Sequence, residues 1–242
     1  MKVRLFHELA EVDDKAWPDL QDDIATATVS VDILPVEPAR ARQTLVHLQV
    51  TARSTLGALV LHTGGVMIDH GWLRLLGGGH VELPDVATMS QVGDPGADAP
   101  PPFLIVAIDV LGGQFAINGG GLPADLGDVC FLESGSPQWE STGIGHSGFV
   151  MWVLNGGLDD FYSDRRWPGW ATEVQALSPA QGLSIYPPIW SSEGGSDIAA
   201  ASRSVCPLTE LTDLHRDVAI QTYGKSHATP TTSKRPRFWR RR

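Results

Sequence analysis

Four side chains with chemistry to offer, His62, Asp69, His70 and His80, fall within 19 residues of one another. Two histidines and a carboxylate form a zinc-type ligand set when strand ends bring them together. The spacing here fits no compact ligand motif of the HExxH kind. Loop histidines that bond nearby backbone groups account for His70 and His80 equally well. Asp109 is a separate signal, because it interrupts the apolar run Phe103 to Val110. A buried carboxylate must be hydrogen-bonded, paired or shifted in pKa, and a strand end beside Gly112 would supply such bonds. His70, His80 and Asp109 are therefore the candidate residues for an enzyme site. No catalytic, cofactor-binding or metal-binding residue is assigned from them, and no cofactor is expected.

Two glycine runs imitate phosphate loops. Gly143-Ile-Gly-His-Ser-Gly148 spells GxGxxG and precedes an apolar stretch. A dinucleotide site needs that motif between the first strand and first helix of a βαβ unit, where the pyrophosphate meets the helix N-terminus. Here the following helix is short, stops at Gly156-Gly157, and leads into no parallel strand. Asn118-Gly-Gly-Gly-Leu-Pro-Ala124 fits worse, since Pro123 opens no long helix. The chain contains no GxSxG elbow, P-loop, CxxC pair or SxxK.

The elements that would carry these residues read as an α+β fold. Two helical pieces are expected over residues 3–27, the second pinned by Trp17, Leu20 and Ile24 at helical spacing. Ala39 to Leu48 reads as a helix. Leu56 to His62 reads as a strand, turned by Gly64-Gly65 into Val66 to Ile68 as a hairpin. Residues 85–102 lose apolar periodicity, so a mobile loop is expected over about 88–102. The densest apolar stretch follows. It gives strands at Phe103–Val110, Gln114–Ile117 and 128–133, and a helix at Phe149–Leu154 that Ser147 is placed to cap. A second helix over Asp159–Arg165 sets Phe161 and Tyr162 beside Trp167 and Trp170. Trp152 is expected in the core, and Arg165 and Arg166 on the surface. Tyr186 to Trp190 reads as extended, and Pro207 to His215 as a helix. A single antiparallel α+β domain over 1–218 and a disordered basic tail over 219–242 complete the reading.

Composition bounds the function. Apolar residues make up 42% of 242, enough for a real core, and no apolar run is long enough to span a membrane. The N-terminus reaches Glu8 before an apolar signal core forms, so a cytoplasmic location is expected. Cys130 lies in a strand pattern and reads as a buried thiol. The net charge of −10 is uneven. Residues 225–242 hold 7 basic residues and no acid, leaving 11 basic against 28 acidic residues in the body. Such a body disfavours nucleic acid, which only the tail would engage, and weakly.

Several segments together resemble the bacterial domain-of-unknown-function family number 2625. They are Ala16-Trp-Pro, Leu48-Gln-Val-Thr with Ser54, Gly64-Gly-Val-Met-Ile-Asp-His-Gly-Trp-Leu-Arg-Leu-Leu-Gly, Gly113-Gln-Phe-Ala-Ile-Asn-Gly-Gly and Arg166-Trp-Pro-Gly-Trp. The resemblance covers about residues 5–214 and supplies no site residues. More distantly, the order of elements is similar to the SUKH superfamily (Smi-Knr-like proteins), which implies an immunity protein that binds a toxin domain. The expected function is thus a cytoplasmic protein-binding module with an immunity or regulatory role, its partner a basic protein such as a toxin domain. The alternative is a small enzyme using His70, His80 and Asp109.

Overall fold

The structure, a computed structural model, describes residues 3–95, 101–189, 191 and 197–223. Seven strands form a meander: β1 (Val31–Leu34), β2 (Gly65–Ile68), β3 (Leu73–Leu76), β4 (Phe103–Asp109), β5 (Gln114–Asn118), β6 (Asp128–Leu132) and β7 (Trp139–Gly145). They lie side by side in that order, each antiparallel to the next. The antiparallel α+β architecture read from the sequence is the one the chain adopts.

Both faces of the sheet are covered. Adjacent residues Leu75 and Leu76, and Phe115 and Ala116, belong to different apolar clusters, as the two-residue period of a strand requires. One cluster takes in α2 (Trp17–Ala25), α6 (His146–Leu154), α7 (Gly157–Phe161) and α8 (Trp170–Gln175), through Leu20, Phe149, Leu158 and Val174. The other takes in α1 (Phe6–Ala10), α3 (Pro38–Leu48), α5 (Val86–Met89) and α9 (Leu208–Tyr223), through Leu9, Leu45, Val86 and Leu208. A strand with a helix layer on each side has no polar face to show. That explains the apolar runs of β2 and of β4 up to Ile108, and why all four residues of β3, Arg74 included, are buried.

The expected strand over Leu56–His62 is instead a helix, α4 (Thr55–His62). Ser54 caps it, its hydroxyl accepting from the Gly57 N–H at 3.0 Å. Ala58 and Leu59 join one cluster while Leu56 and Val60 join the other. A helix that is apolar on every side is a buried one, and periodicity alone cannot tell such a run from a strand. Gly57 is required here, because a Cβ would stand 2.0 Å from the Thr51 carbonyl oxygen. β2 consequently pairs with β3 and with β1, a four-residue strand the sequence pattern did not reveal, its ends Val31 and Leu34 half-buried and its middle exposed.

Other boundaries shift. β7 runs through Gly143 and Gly145, so the literal GxGxxG begins inside a strand. Gly145 is the N-cap of α6, and Ser147 lies within the first turn, bonded to Thr55 at 2.8 Å. α7 ends at Phe161, earlier than expected, and a further short helix, α8, follows at Trp170–Gln175. β8 (Gln181–Tyr186) and β9 (Ser202–Pro207) form a second, two-stranded sheet that the sequence reading did not include. α9 continues to Tyr223, past the residue where disorder was expected to begin. The basic tail from residue 224 and the middle of the 88–102 loop, residues 96–100, lie outside the described residues, as does Trp190.

Candidate functional site

The β2–β3 connection runs through three consecutive residues in the left-handed region. Asp69, His70 and Gly71 hold φ of 54°, 57° and 82° in succession. Two non-glycine residues in the left-handed region cost conformational energy and persist only where surroundings hold them. The Asp69 N–H donates to the Ser30 carbonyl at 2.8 Å and the His70 N–H to the Ser30 hydroxyl at 2.6 Å. On the side-chain side, Arg166 ion-pairs with Asp69 and, at 2.6 Å, with Asp159.

Arg166 is not at the surface. Its side chain is 8% exposed, as is that of Asp69. Its guanidinium lies 3.9 Å from the ring centre of Trp170 and 4.9 Å from that of Trp72. A guanidinium is planar and weakly hydrated, so it tolerates this cage where an ammonium would not. Arg165 does sit nearer solvent, at 17%, and its Nη2 meets Glu133 at 2.7 Å. Trp152, expected in the core, is half-buried, tilted against Phe149 at 6.0 Å and edge-on to Phe161 at 5.7 Å. It shares a helix face with the margin of the core rather than its centre.

Asp109 is buried, as its place in an apolar strand predicts. Its Oδ1 accepts from the N–H groups of Leu111 and Gly113, each at 2.8 Å, and its Oδ2 from the Tyr162 hydroxyl at 2.7 Å. This carboxyl therefore closes the β4–β5 turn and ties the end of α7 to it. Burial pushes the Asp109 carboxyl above its ordinary range, opposed by the bond from Tyr162, the two backbone bonds and the charge of Arg74. Burial, then the neighbouring Asp109, raises the Tyr162 hydroxyl in turn. Arg74, fully buried, is brought down to about 10 because desolvation outweighs the attraction of Asp109. It donates to the carbonyls of Gly71 at 2.6 Å and Gln181 at 2.7 Å, joining the meander to the second sheet.

The three candidate residues do not share one site. His70 and His80 lie beyond opposite ends of β3. His70 meets Trp170 edge-on at 5.8 Å. The His80 N–H and carbonyl pair with Leu83, its carbonyl also accepts from Arg40, and its Nδ1 accepts from the Glu82 N–H at 3.3 Å. Asp109 pairs in register with Leu73, at the His70 end. Among the described residues no group of three or more His, Cys, Asp or Glu is arranged to hold a metal ion.

What the structure does form is a shallow depression with room for about one water molecule, lined by Asp109 and Tyr162. Phe131 and Phe161 wall it, edge-to-face at 5.0 Å, and Glu133 and Arg165 stand at its rim. Sequence reasoning singled out Asp109 but not Tyr162, Glu133 or Arg166. The string Arg-Arg-Trp-Pro-Gly-Trp did carry a signal for Arg166, an arginine set among tryptophans. Exposed carboxylates lie on α7 at Asp159 and Asp160, after it at Asp164, and along and before α2 at Asp13, Asp14, Asp19 and Asp22; α2 and α7 each pack on α6.

The family described as "Protein of unknown function DUF2625" matches residues 6–211. The chain is 38% identical over 214 residues to the putative uncharacterized protein YbfG of Escherichia coli K12, covering 88% of this chain and 95% of that one. It is 31% identical over 189 residues to an uncharacterized protein of Haemophilus influenzae, covering 76% and 82% respectively. No solved structure matches the chain. No described helix is long and apolar enough to cross a membrane.

Proposed function

The chain belongs to the DUF2625 family, and on that premise we propose that it acts by binding a basic protein partner through its acidic surface. The observation that carries this reading is the gathering of exposed carboxylates on α2, α7 and the segment after α7. Asp159 and Asp164 are already paired with Arg166 and Arg165, but the group as a whole presents a negative field that steers a cationic partner, and such steering raises the association rate more than it deepens affinity. A SUKH-like immunity or regulatory role, with a basic toxin domain as partner, is one form this binding would take. The test is isolation of a partner with the full-length protein, followed by association kinetics on the purified pair. Between about 0.05 and 0.5 M salt, over which the Debye length shortens to a few ångströms, the on-rate should fall while dissociation changes little. A salt-insensitive on-rate would refute the reading.

A second reading, a small enzyme, has one observation in its favour. Asp109 is a buried carboxyl held above its usual range and facing a depression, which is a pattern of functional sites. Turnover lost in Asp109→Asn, with thermal melts showing the variant still folded at the assay temperature, would favour that reading over the first. Companion variants His70→Ala and His80→Ala should leave any such turnover intact, given where the two side chains lie.

A further inference from the structure

The chain has two asparagines, Asn118 and Asn155, and each opens an Asn-Gly-Gly run. We propose that Asn155–Gly156 is a site of spontaneous chemical modification in the folded protein, and that the fold shields Asn118–Gly119 from the same reaction. Asparagine followed by glycine is reactive because glycine has no Cβ to keep its amide nitrogen away from the preceding side chain. The Gly156 nitrogen, having lost its proton to hydroxide, bonds to Asn155 Cγ. The Cγ–Nδ2 bond breaks, and Nδ2 leaves as ammonia with a proton from water, closing a succinimide ring. Water then opens the ring on either side of the shared nitrogen, giving aspartate or isoaspartate. The balance is asparagine plus water going to the acid plus ammonia, with hydroxide regenerated.

The two sites are held differently. Asn118 is 2% exposed. Its Nδ2 faces the carbonyls of Leu122, Ala124 and Asp125, the nearest at 2.8 Å, and its Oδ1 accepts from the Gly120 and Leu122 N–H groups at 2.8 and 3.0 Å. The nucleophile is tied as well, the Gly119 N–H donating to the Pro102 carbonyl at 2.9 Å. Reaction at Asn118 therefore requires the loop that follows it to open first. Asn155, by contrast, is exposed at the C-cap of α6. Its Nδ2 donates to the Met151 carbonyl at 2.7 Å, but the Gly156 N–H reaches the Val153 carbonyl only at 3.4 Å, longer than an ordinary bond of this kind. Gly156 is required where it stands, because its φ of 79° ends α6 in the left-handed region. The residue that terminates the helix is thus the one that opens Asn155 to attack. The product alters this joint. A carboxylate has no donor for the Met151 carbonyl and places negative charge at a helix C-terminus. Isoaspartate also routes the chain through Cβ and Cγ, lengthening it just ahead of Gly157, where even an added Cβ would lie 2.1 Å from Trp152 Nε1.

The experiment ages the full-length protein in mildly alkaline buffer, folded and in urea, and maps both sites by mass spectrometry. Digestion in heavy-oxygen water marks any conversion that occurs during work-up. In urea the two asparagines should convert at similar rates, since both precede Gly-Gly. In the folded protein Asn155 should still convert, and Asn118 about a hundredfold more slowly than Asn155, the factor for a loop open about one per cent of the time. Leu122, partly buried against the cluster that holds Leu9 and Leu45, anchors that loop. Leu122→Ala should therefore speed conversion of Asn118 and leave Asn155 unchanged, with thermal melts verifying that the variant is folded. Isoaspartyl protein, separated by anion exchange, should exchange its α7 amides over 157–161 faster than the starting protein. Asn155 intact in the folded protein after the urea sample has converted, or equal rates at the two sites in the folded protein, would overturn the assignment. So would a Leu122→Ala variant that converts Asn118 no faster. Unchanged exchange over α7 would overturn the claimed effect on the joint.

Discussion

Replacing Arg166 is the sharpest test of how the β2–β3 turn is held. In Arg166→Ala the guanidinium leaves the space between Trp72 and Trp170, and Asp69, 8% exposed, loses its buried partner. Removing one member of a buried pair costs about 3–5 kcal/mol, because the remaining charge stays desolvated and unpaired. For a chain of this size that corresponds to a fall in melting temperature on the order of 10 °C. Arg166→Lys should recover only part of the loss, since an ammonium neither stacks nor bonds two carboxylates in one plane. The stringent form is a double-mutant cycle with Asp69→Asn, chosen because asparagine tolerates the positive φ at this position. Urea unfolding of the two single variants and Arg166→Ala/Asp69→Asn should give a coupling of about 2 kcal/mol or more, within the range for contacting residues. A loss below about 1 kcal/mol in Arg166→Ala, or singles that simply add, would refute the claim that this pair sets the turn.

Three further outcomes follow from the same packing. His146, whose two ring nitrogens are buried without a hydrogen-bond partner among the described residues, is held down to about 4 by burial, and His215 likewise. Because the folded value lies below the unfolded one near 6.5, the native state is at full strength above about pH 6.5. It weakens as pH falls toward 4, by at most about 3 kcal/mol per histidine, and urea titrations of His146→Leu should show a flatter acid limb. Asp109→Ala strands three donors and leaves Arg74 without its nearest carboxylate. It should cost about 3 kcal/mol or more in denaturant unfolding, whereas Asp109→Asn, which keeps an acceptor for Leu111 and Gly113, should cost less than half as much. Trp152→Ala should cost about 2 kcal/mol rather than the ~3–5 of a fully buried aromatic, because the indole is half-buried; a larger loss by calorimetry would place it in the core after all.

How much was legible depends on what each residue's environment asked of it. β4 and β5 announced themselves, since a continuous apolar run ending at Gly112-Gly113 allows little else. α4 did not, because an all-apolar helix erases the 3.6-residue period that would identify it. β1 was hidden by its brevity, and β8 and β9 by partly exposed faces that leave strands without alternation. Within the site, Asp109 was conspicuous as a lone carboxylate among Ile and Val residues. Arg166 was read as surface because charge normally means solvent. Its cage is assembled from Asp69 and Trp72, nearly a hundred residues earlier in the chain, and only the fold brings them together.

The meander carries a consequence for biosynthesis. Strand order in the sheet is identical to order in the chain, so each strand leaving the ribosome finds its neighbour already made. Closing loops of that kind demands little chain entropy and favours rapid folding. The long-range joints do not share this property, and two of them concern the buried arginines. Arg74 of β3 waits for the Gln181 carbonyl, 107 residues later, and Arg166 must travel back to Asp69. Until those arrive, Trp72 and Arg74 lack the cover that residues 162–181 supply, so this part of the sheet is completed only when that late segment has been made.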